Sequence, residues 1–293
     1  MTEIGSGIVF LNKESGITSF KAVDSIRKIL NIKKAGHTGT LDKFANGLLI
    51  VLLGKYTRLA DLFSGLNKEY LAIFQFGEET DTLDPEGEVI KRKPLPSYES
   101  LLKAVEKYTG VIDQVPPNYS AVHINGKRAY KIALKGEKPM LKPRRVTIYN
   151  IEPISFLNGE LRVKIACSKG TYIRSLARDI GREVSSCAYV KELTRTKIGN
   201  FTVDESVKIS SFNEKLHIIR PGKILHDIPG VQPFIIADKL KQSKILHGTT
   251  LDDNFFDNNI KKDNFTVLTD EAGILLAVVE KNKTGYRYIS VFT

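Results

Sequence analysis

The sequence predicts an α+β fold in two parts, a larger domain over residues 1–228 and a small β-rich module over residues 229–293. Three observations carry this prediction. Strand-like and helix-like segments are mixed along the chain without the steady alternation of a doubly wound parallel sheet. Asn158-Gly159, set between two apolar alternating runs, is the strongest short hairpin signal in the chain, so antiparallel pairing is present. Three prolines and two glycines between Pro221 and Pro233 place a boundary near residue 229.

Taken in order, residues 7–13 read as a short strand, ended by Gly16. Thr18 or Ser19 can cap a helix over Ala22, Val23, Ile26, Ile29 and Leu30. A glycine-rich turn follows, from Gly36 to Gly47. The wholly aliphatic run Leu48–Leu53 is short enough for a strand buried on both faces. Residues 55–66 form an amphipathic helix with Leu59, Leu62, Phe63 and Leu66 on one side. Residues 68–76 alternate, with Tyr70, Ala72, Phe74 and Phe76 on one face of a strand. An acidic loop from Glu78 to Glu88 leads to a helix capped by Ser97 and ending at Gly110. Residues 145–156 and 160–167 are the two arms of the hairpin. Leu161, Val163, Ile165 and Cys167 share one face, which assigns Cys167 to the core. Residues 171–184 form a helix with Ile173, Leu176, Ile180 and Val184 inward. Past the boundary come a short helix, residues 238–246, and strands near 265–269, 274–280 and 286–292.

Composition excludes several function classes. Of 293 residues, 42% are hydrophobic, 26% charged and 9% aromatic, a globular balance. The longest aliphatic run spans six residues, against the roughly 20 of a membrane-crossing helix. The first residues, MTEIGSGIVF, lack the basic and apolar regions of an export signal. Cys167 and Cys187 form no CxxC pair and no Cys/His cluster, which argues against structural zinc. These features read as a cytoplasmic, reduced protein with no membrane partner.

The net charge is +11, which suggests a polyanionic partner. Its distribution is uneven. From Asn118 to Ile148, Lys127, Arg128, Lys131, Lys135, Lys138, Lys142, Arg144 and Arg145 face only Glu137, a local charge of +7. Residues 229–293 hold eight basic and eight acidic residues and are neutral. The basic segment is either a solvated loop or an arm that contacts phosphates. Tyr119 and Tyr130, interleaved with its cations, suit RNA bases and backbone together.

Two segments can carry chemistry. Gly36, Gly39 and Gly47 allow positive φ or close approach of a ligand around the single carboxylate Asp42. The turn is neither GxGxxG nor GxxxxGK[ST], so no nucleotide cofactor is implied. Asp42 can equally be the N-cap of a following helix, and His37 with Asp42 lacks a third metal ligand. The second segment is Ser168–Leu176, where a strand turns into a helix. Arg174 in the first helical turn opposes the dipole preference, so it is either a surface arginine or a sign of an anion held there.

Together these residues resemble the bacterial tRNA pseudouridine synthase B family. Gly36-His37-Thr38-Gly39-Thr40-Leu41-Asp42, with Ala45 and Gly47-Leu48-Leu49, is similar to its catalytic motif, and Lys68-Glu69-Tyr70 to its tyrosine motif. Gln114–Ala121, Ser168–Leu176 and Glu192-Leu193-Thr194-Arg195-Thr196 with Gly199 and Phe201 resemble three more. The five blocks stand in order over residues 7–201. The resemblance implies a pseudouridine-synthase catalytic domain with a mixed, largely antiparallel sheet and flanking helices, a basic RNA-binding insertion over about 118–148, and a PUA-like C-terminal domain. It implies a monomeric isomerase acting on uridine 55 in the T-loop of tRNA, with no cofactor, no metal and no guide RNA. Asp42 is implied as the catalytic carboxylate, either nucleophile at C1′ or base at C2′, paired with Arg174. Tyr70 is implied to stack on uracil near C5, with Tyr172 and Leu193 lining the base pocket. His37 is implied to fit against the T-loop after the uridine flips out. Lys127, Arg128, Lys142, Arg144 and Arg145 are implied to hold the stem-loop phosphates.

The chain departs from the family pattern at Lys43, where proline is usual, and at Val122-His123, where a basic residue is usual. Lys43 touches the rigidity of the turn and adds a candidate phosphate contact. A competing class is a non-catalytic RNA-binding or RNA-folding protein that keeps the fold. A small-molecule nucleoside enzyme would not need the +7 segment.

Overall fold

The computed structural model describes residues 6–124, 126–256, 260, 265–283 and 285–292. The first elements are β1 (Gly7–Lys13), α1 (Ser19–Ile29), β2 (Ala35–His37), β3 (Asn46–Leu53), α2 (Ala60–Ser64) and β4 (Lys68–Phe76). Then follow β5 (Glu78–Thr80), β6 (Val89–Arg92), α3 (Tyr98–Lys107), β7 (Gly110–Gln114), β8 (His123–Ile124), β9 (Lys127–Arg128) and α4 (Ala129–Ala133). The hairpin strands are β10 (Arg144–Leu157) and β11 (Glu160–Cys167), followed by α5 (Ile173–Glu183), β12 (Ala188–Ile198) and β13 (Phe201–Thr202). The C-terminal part holds α6 (Glu214–His217), α7 (Pro221–Ile224), β14 (Val231–Ile235), α8 (Lys239–Leu246), β15 (Phe265–Thr269), β16 (Leu275–Asn282) and β17 (Gly285–Val291).

The main sheet is nine-stranded, in the order β1-β3-β12-β4-β11-β10-β7, with β2 beside β3 and β13 beside β12. The pairing of β3 with β12 is parallel and joins Asn46 to Thr194 and Gly47 to Arg195; the others are antiparallel. This is the mixed, largely antiparallel α+β sheet that the sequence predicts. Its alternation explains both cores around β1 and β3. Val9, Leu11, Leu49, Val51 and Leu53 meet α1 on one face, while Ile8, Phe10, Leu48, Ile50 and Leu52 meet Leu59, Phe63 and Phe201 on the other. At the other half of the sheet, Tyr70, Ala72, Phe74 and Phe76 of β4 and Leu161, Val163, Ile165 and Cys167 of β11 pack under α3 and α5.

A second sheet runs β14-β15-β16-β17. One of its faces packs with Ile236, Ile245, Leu251 and Phe256. From the other face Val267, Leu275 and Val278 join the core that contains Phe10, Leu59 and Phe201.

Local expectations held at the caps. The Thr18 hydroxyl accepts from the Lys21 N–H and the Ser97 hydroxyl from the Ser100 N–H. The hairpin turns at Asn158-Gly159, both at positive φ. Other expectations are corrected. The helix over 55–66 is a 3₁₀ turn, Gly54–Leu59, before the short α2, although Leu59, Leu62, Phe63 and Leu66 are all buried. The helix after Ser97 ends at Lys107, and Gly110, at φ +107, opens a strand instead. No helix follows Asp42: the Ala45 N–H bonds to the Asp42 carbonyl, and the chain enters β3, so Asp42 is not an N-cap. Of the three glycines of that turn, Gly47 alone has positive φ; a Cβ there would meet the backbone of Arg195 at 2.4 Å. Tyr172 is the cap residue of α5 and not part of its first turn.

Candidate active site

In the loop 38–45 between β2 and β3, residues 38–43 form one wall of a cleft of about 940 Å³. Parallel pairing to β12 and a set of side-chain bonds fix this loop. On one side the Ser19 hydroxyl donates to the Leu41 carbonyl at 2.9 Å and accepts from the Leu41 N–H at 2.8 Å. The Ser15 hydroxyl donates to the Phe44 carbonyl, and the Gly16 N–H to that of Lys43. Fully buried Lys13 donates from Nζ to the carbonyls of Glu14, Ile17 and Lys43. Burial pushes its amine down to about 8, opposed by the nearby charge of Asp42. On the other side Arg195, 1% exposed, donates to the carbonyls of Leu48, Gly39 and Thr40. A buried arginine satisfied by loop carbonyls holds the loop's shape by charge-assisted bonds.

Asp42 projects into the cleft and Arg174 meets it from the N-terminal turn of α5. Arg174 Nη2 donates to Asp42 Oδ1 at 3.0 Å, and Nε lies 2.9 Å from Asp42 Oδ2, an ion pair carried by one hydrogen bond. The same guanidinium donates from Nη1 to Asp84 Oδ2 at 3.0 Å and to the Thr82 carbonyl at 2.8 Å, and from Nη2 to the Tyr119 carbonyl. The side chain of Arg174 is 5% exposed and that of Asp42 36%, so the pair presents its carboxylate, not its cation, to the cleft. This settles the open reading of Arg174: it is buried, and the anions it holds are the protein's own. The start of α5 is pinned by Gln114, which accepts from the Tyr172 N–H and donates to the Tyr172 carbonyl. Ser175 and Arg178 donate to the Val115 carbonyl.

Tyr70 on β4, 8% exposed, and Leu193 on β12, 6% exposed, form the apolar floor of the cleft beside Tyr172. Burial raises the Tyr70 hydroxyl above its ordinary value, and the positive charge of Arg195 works against that rise. Tyr172 is raised for the same first reason. Lys68, two residues before Tyr70, reaches the carbonyls of Ser64 and Leu66, and burial pushes its amine down to about 8. His37 lines the cleft; burial lowers its pKa, and its Nδ1 has no hydrogen-bond partner among the described residues. Burial thus favours its uncharged form, with one ring nitrogen unpaired among the described residues.

Of the predicted site residues, Asp42, Tyr70, Arg174, His37, Tyr172, Leu193 and Arg128 line this one cleft. Lys127, Lys142, Arg144 and Arg145 are exposed beyond its walls. The charge of Arg144 acts on Tyr172, and Arg145 sits 3.8 Å from Asp113. Asp84 and Arg195 were not among the predicted site residues. Asp84 stood in a run of acids, Glu78–Glu88, with nothing to single it out. Arg195 stood beside Lys191, Glu192 and Lys197 in the same segment, so its burial had no signal in the sequence. Among the described residues no cluster of three metal-ligating side chains occurs.

A carboxylate held by a buried arginine next to a buried tyrosine, in a cleft wide enough for a flipped nucleoside, can attack or deprotonate a sugar while the ring stacks on the base. Comparison with known proteins bears on this arrangement. Residues 27–173 match the model of the TruB family pseudouridylate synthase N-terminal domain. The tRNA pseudouridine synthase B of Borreliella burgdorferi is 41% identical over 98% of this chain and 99% of its own length. That of Treponema denticola is 45% identical over 70% of this chain and 63% of its own. A solved H/ACA RNP bound to a substrate RNA containing 2′-deoxyuridine superposes at a TM-score of 0.71 with 21% identity, over 98% of this chain and 85% of the other. At that identity the superposition speaks for the fold. Family model, full-length relatives and cleft geometry agree: the chain belongs to the TruB family of pseudouridylate synthases.

Proposed function

We propose that this chain converts uridine 55 in the T-loop of tRNA to pseudouridine, with Asp42 as the catalytic carboxylate. The observation that carries the reading is the Arg174–Asp42 ion pair in the cleft that Tyr70 and Leu193 also line. Relatives that align over nearly the whole chain and bear the name tRNA pseudouridine synthase B support the substrate. The reaction breaks the N1–C1′ bond, turns the uracil, forms a C5–C1′ bond and moves the C5 proton to solvent, while N1 gains a proton. Asp42 starts it at C1′ or at the 2′ proton. Arg174 keeps the carboxylate aimed. Tyr70 stacks on the base and faces C5. His37 fills space against the T-loop. Flipping the uridine costs a few kcal/mol, which phosphate contacts along residues 118–148 offset.

In the same reading the enzyme works as a monomer in the cytoplasm without guide RNA, metal or cofactor. Residues 1–228 form the catalytic domain and residues 229–293 a PUA-like domain. The test is release of tritium from unmodified tRNA transcript labelled at uracil C5, in metal-free buffer, with position mapping and Asp42→Asn alongside. One tritium per tRNA from the T-loop uridine, absent in the variant, is the expected result. Tight, salt-sensitive binding with no release by the unaltered chain would favour an RNA-binding protein that keeps the fold.

A further inference from the structure

Lys43, the residue after Asp42, does not extend freely toward the cleft. Its Nζ lies 2.6 Å from Glu86 Oε1, across the gap between the 38–45 loop and the acidic turn. That turn is tightly wound. Leu83 sits at φ +63, and a Cβ on Gly87 would meet the side chains of Asp81 and Thr82 at under 2.5 Å. The Glu86 N–H donates to Asp84 Oδ1 at 3.1 Å, and Asp84 Oδ2 accepts from Arg174, which returns to Asp42. A closed ring results: Asp42, Lys43, Glu86, Asp84, Arg174 and Asp42 again. Asp84 and Arg174 are nearly buried; Lys43 and Glu86, at 52% and 40% side-chain exposure, are the link that solvent reaches.

We propose that Lys43 and Glu86 form an exposed latch that closes this ring and positions Asp42 against Arg174. The proposal rests on Asp42 being the catalytic carboxylate. Lys43 is then a positioning residue and not a phosphate contact, because its charge is already answered by Glu86. An exposed pair is weak and salt-screened, so the latch adjusts the rate modestly and loosens as ionic strength rises.

The test measures single-turnover tritium release at saturating enzyme, and tRNA affinity separately, for the unaltered chain, Lys43→Gln, Glu86→Gln, the charge swap Lys43→Glu/Glu86→Lys, and Asp42→Asn. Both single variants are expected to lower the saturated rate by about two- to fivefold with affinity held within about twofold. The swap should restore most of the rate, and the salt dependence of the saturated rate should flatten in both single variants. Weaker binding in Lys43→Gln alone, with Glu86→Gln silent, would make Lys43 a phosphate contact and overturn the latch. Silence of both, or a swap no better than the singles, would overturn it too. An inactive unaltered chain, or an active Asp42→Asn, would instead overturn the assignment of Asp42.

Discussion

At the cleft floor, Arg174 is bonded to Asp42, Asp84 and the carbonyls of Thr82 and Tyr119, and Arg195 to three carbonyls of the loop that carries Asp42. Along residues 118–148, Lys127, Arg128, Lys142 and Arg144 are exposed; β9, which carries the first two, is two residues long and stands between β8 of two residues and α4 of five. One region spends its cations on fixing its own shape. The other presents them outward. Under the proposed function the contrast assigns transition-state geometry to the cross-linked floor, and RNA affinity with its salt dependence to the basic arm.

Replacing Arg174 should strain this division most. Arg174→Lys keeps the charge but loses the fork that reaches both carboxylates. The saturated rate is expected to fall about 100-fold or more, as for loss of a fixed charge donor, with tRNA affinity within about threefold. Asp84→Asn removes one of the two carboxylates that answer a buried guanidinium. A rate loss of about tenfold and a destabilisation of roughly 1–3 kcal/mol are expected, the latter read by denaturant titration. On the arm, changing Lys142, Arg144 and Arg145 to Gln should place the loss on affinity. The slope of log affinity against log salt should shrink by about 2, which filter binding at several salt concentrations would read. A fall in the saturated rate larger than the fall in affinity would break the contrast.

The smallest effect concerns pH. Lys13 is held at about 8 against an ordinary 10.5, so between these values the unfolded chain binds more protons than the folded one. Stability therefore rises with pH across that window. Lys68, also near 8, contributes to the same slope. Lys13→Met should flatten the rise in part, leaving the share of Lys68, as measured by melting temperature from pH 7 to 10.5.

Much of this was legible in the sequence where one physical signal acted alone. Leu48–Leu53 was short and apolar enough for a doubly buried strand, Asn158-Gly159 was the strongest short turn signal, and Thr18, one of two candidates, and Ser97 capped the helices expected of them. The central strand β12 was missed, although its Leu193 and Arg195 stood inside a recognised block. Register shifts between Val190 and Glu192 and between Arg195 and Lys197 break its alternation, so the period of two does not survive. Asp42 stood out as the lone carboxylate of a glycine-rich turn. Its partner Asp84 lies more than forty residues on, and only the fold of the acidic turn brings it under Arg174. Arg174 itself read equally well as a surface residue, because burial by two distant acids leaves no local trace.

The most direct test joins the two regions in one experiment: the affinity of Asp42→Asn for unmodified tRNA across a salt series, beside its tritium release. The account predicts the affinity and salt slope of the unaltered chain with release at background. Residual release, or a shallower salt slope than the unaltered chain, would contradict it.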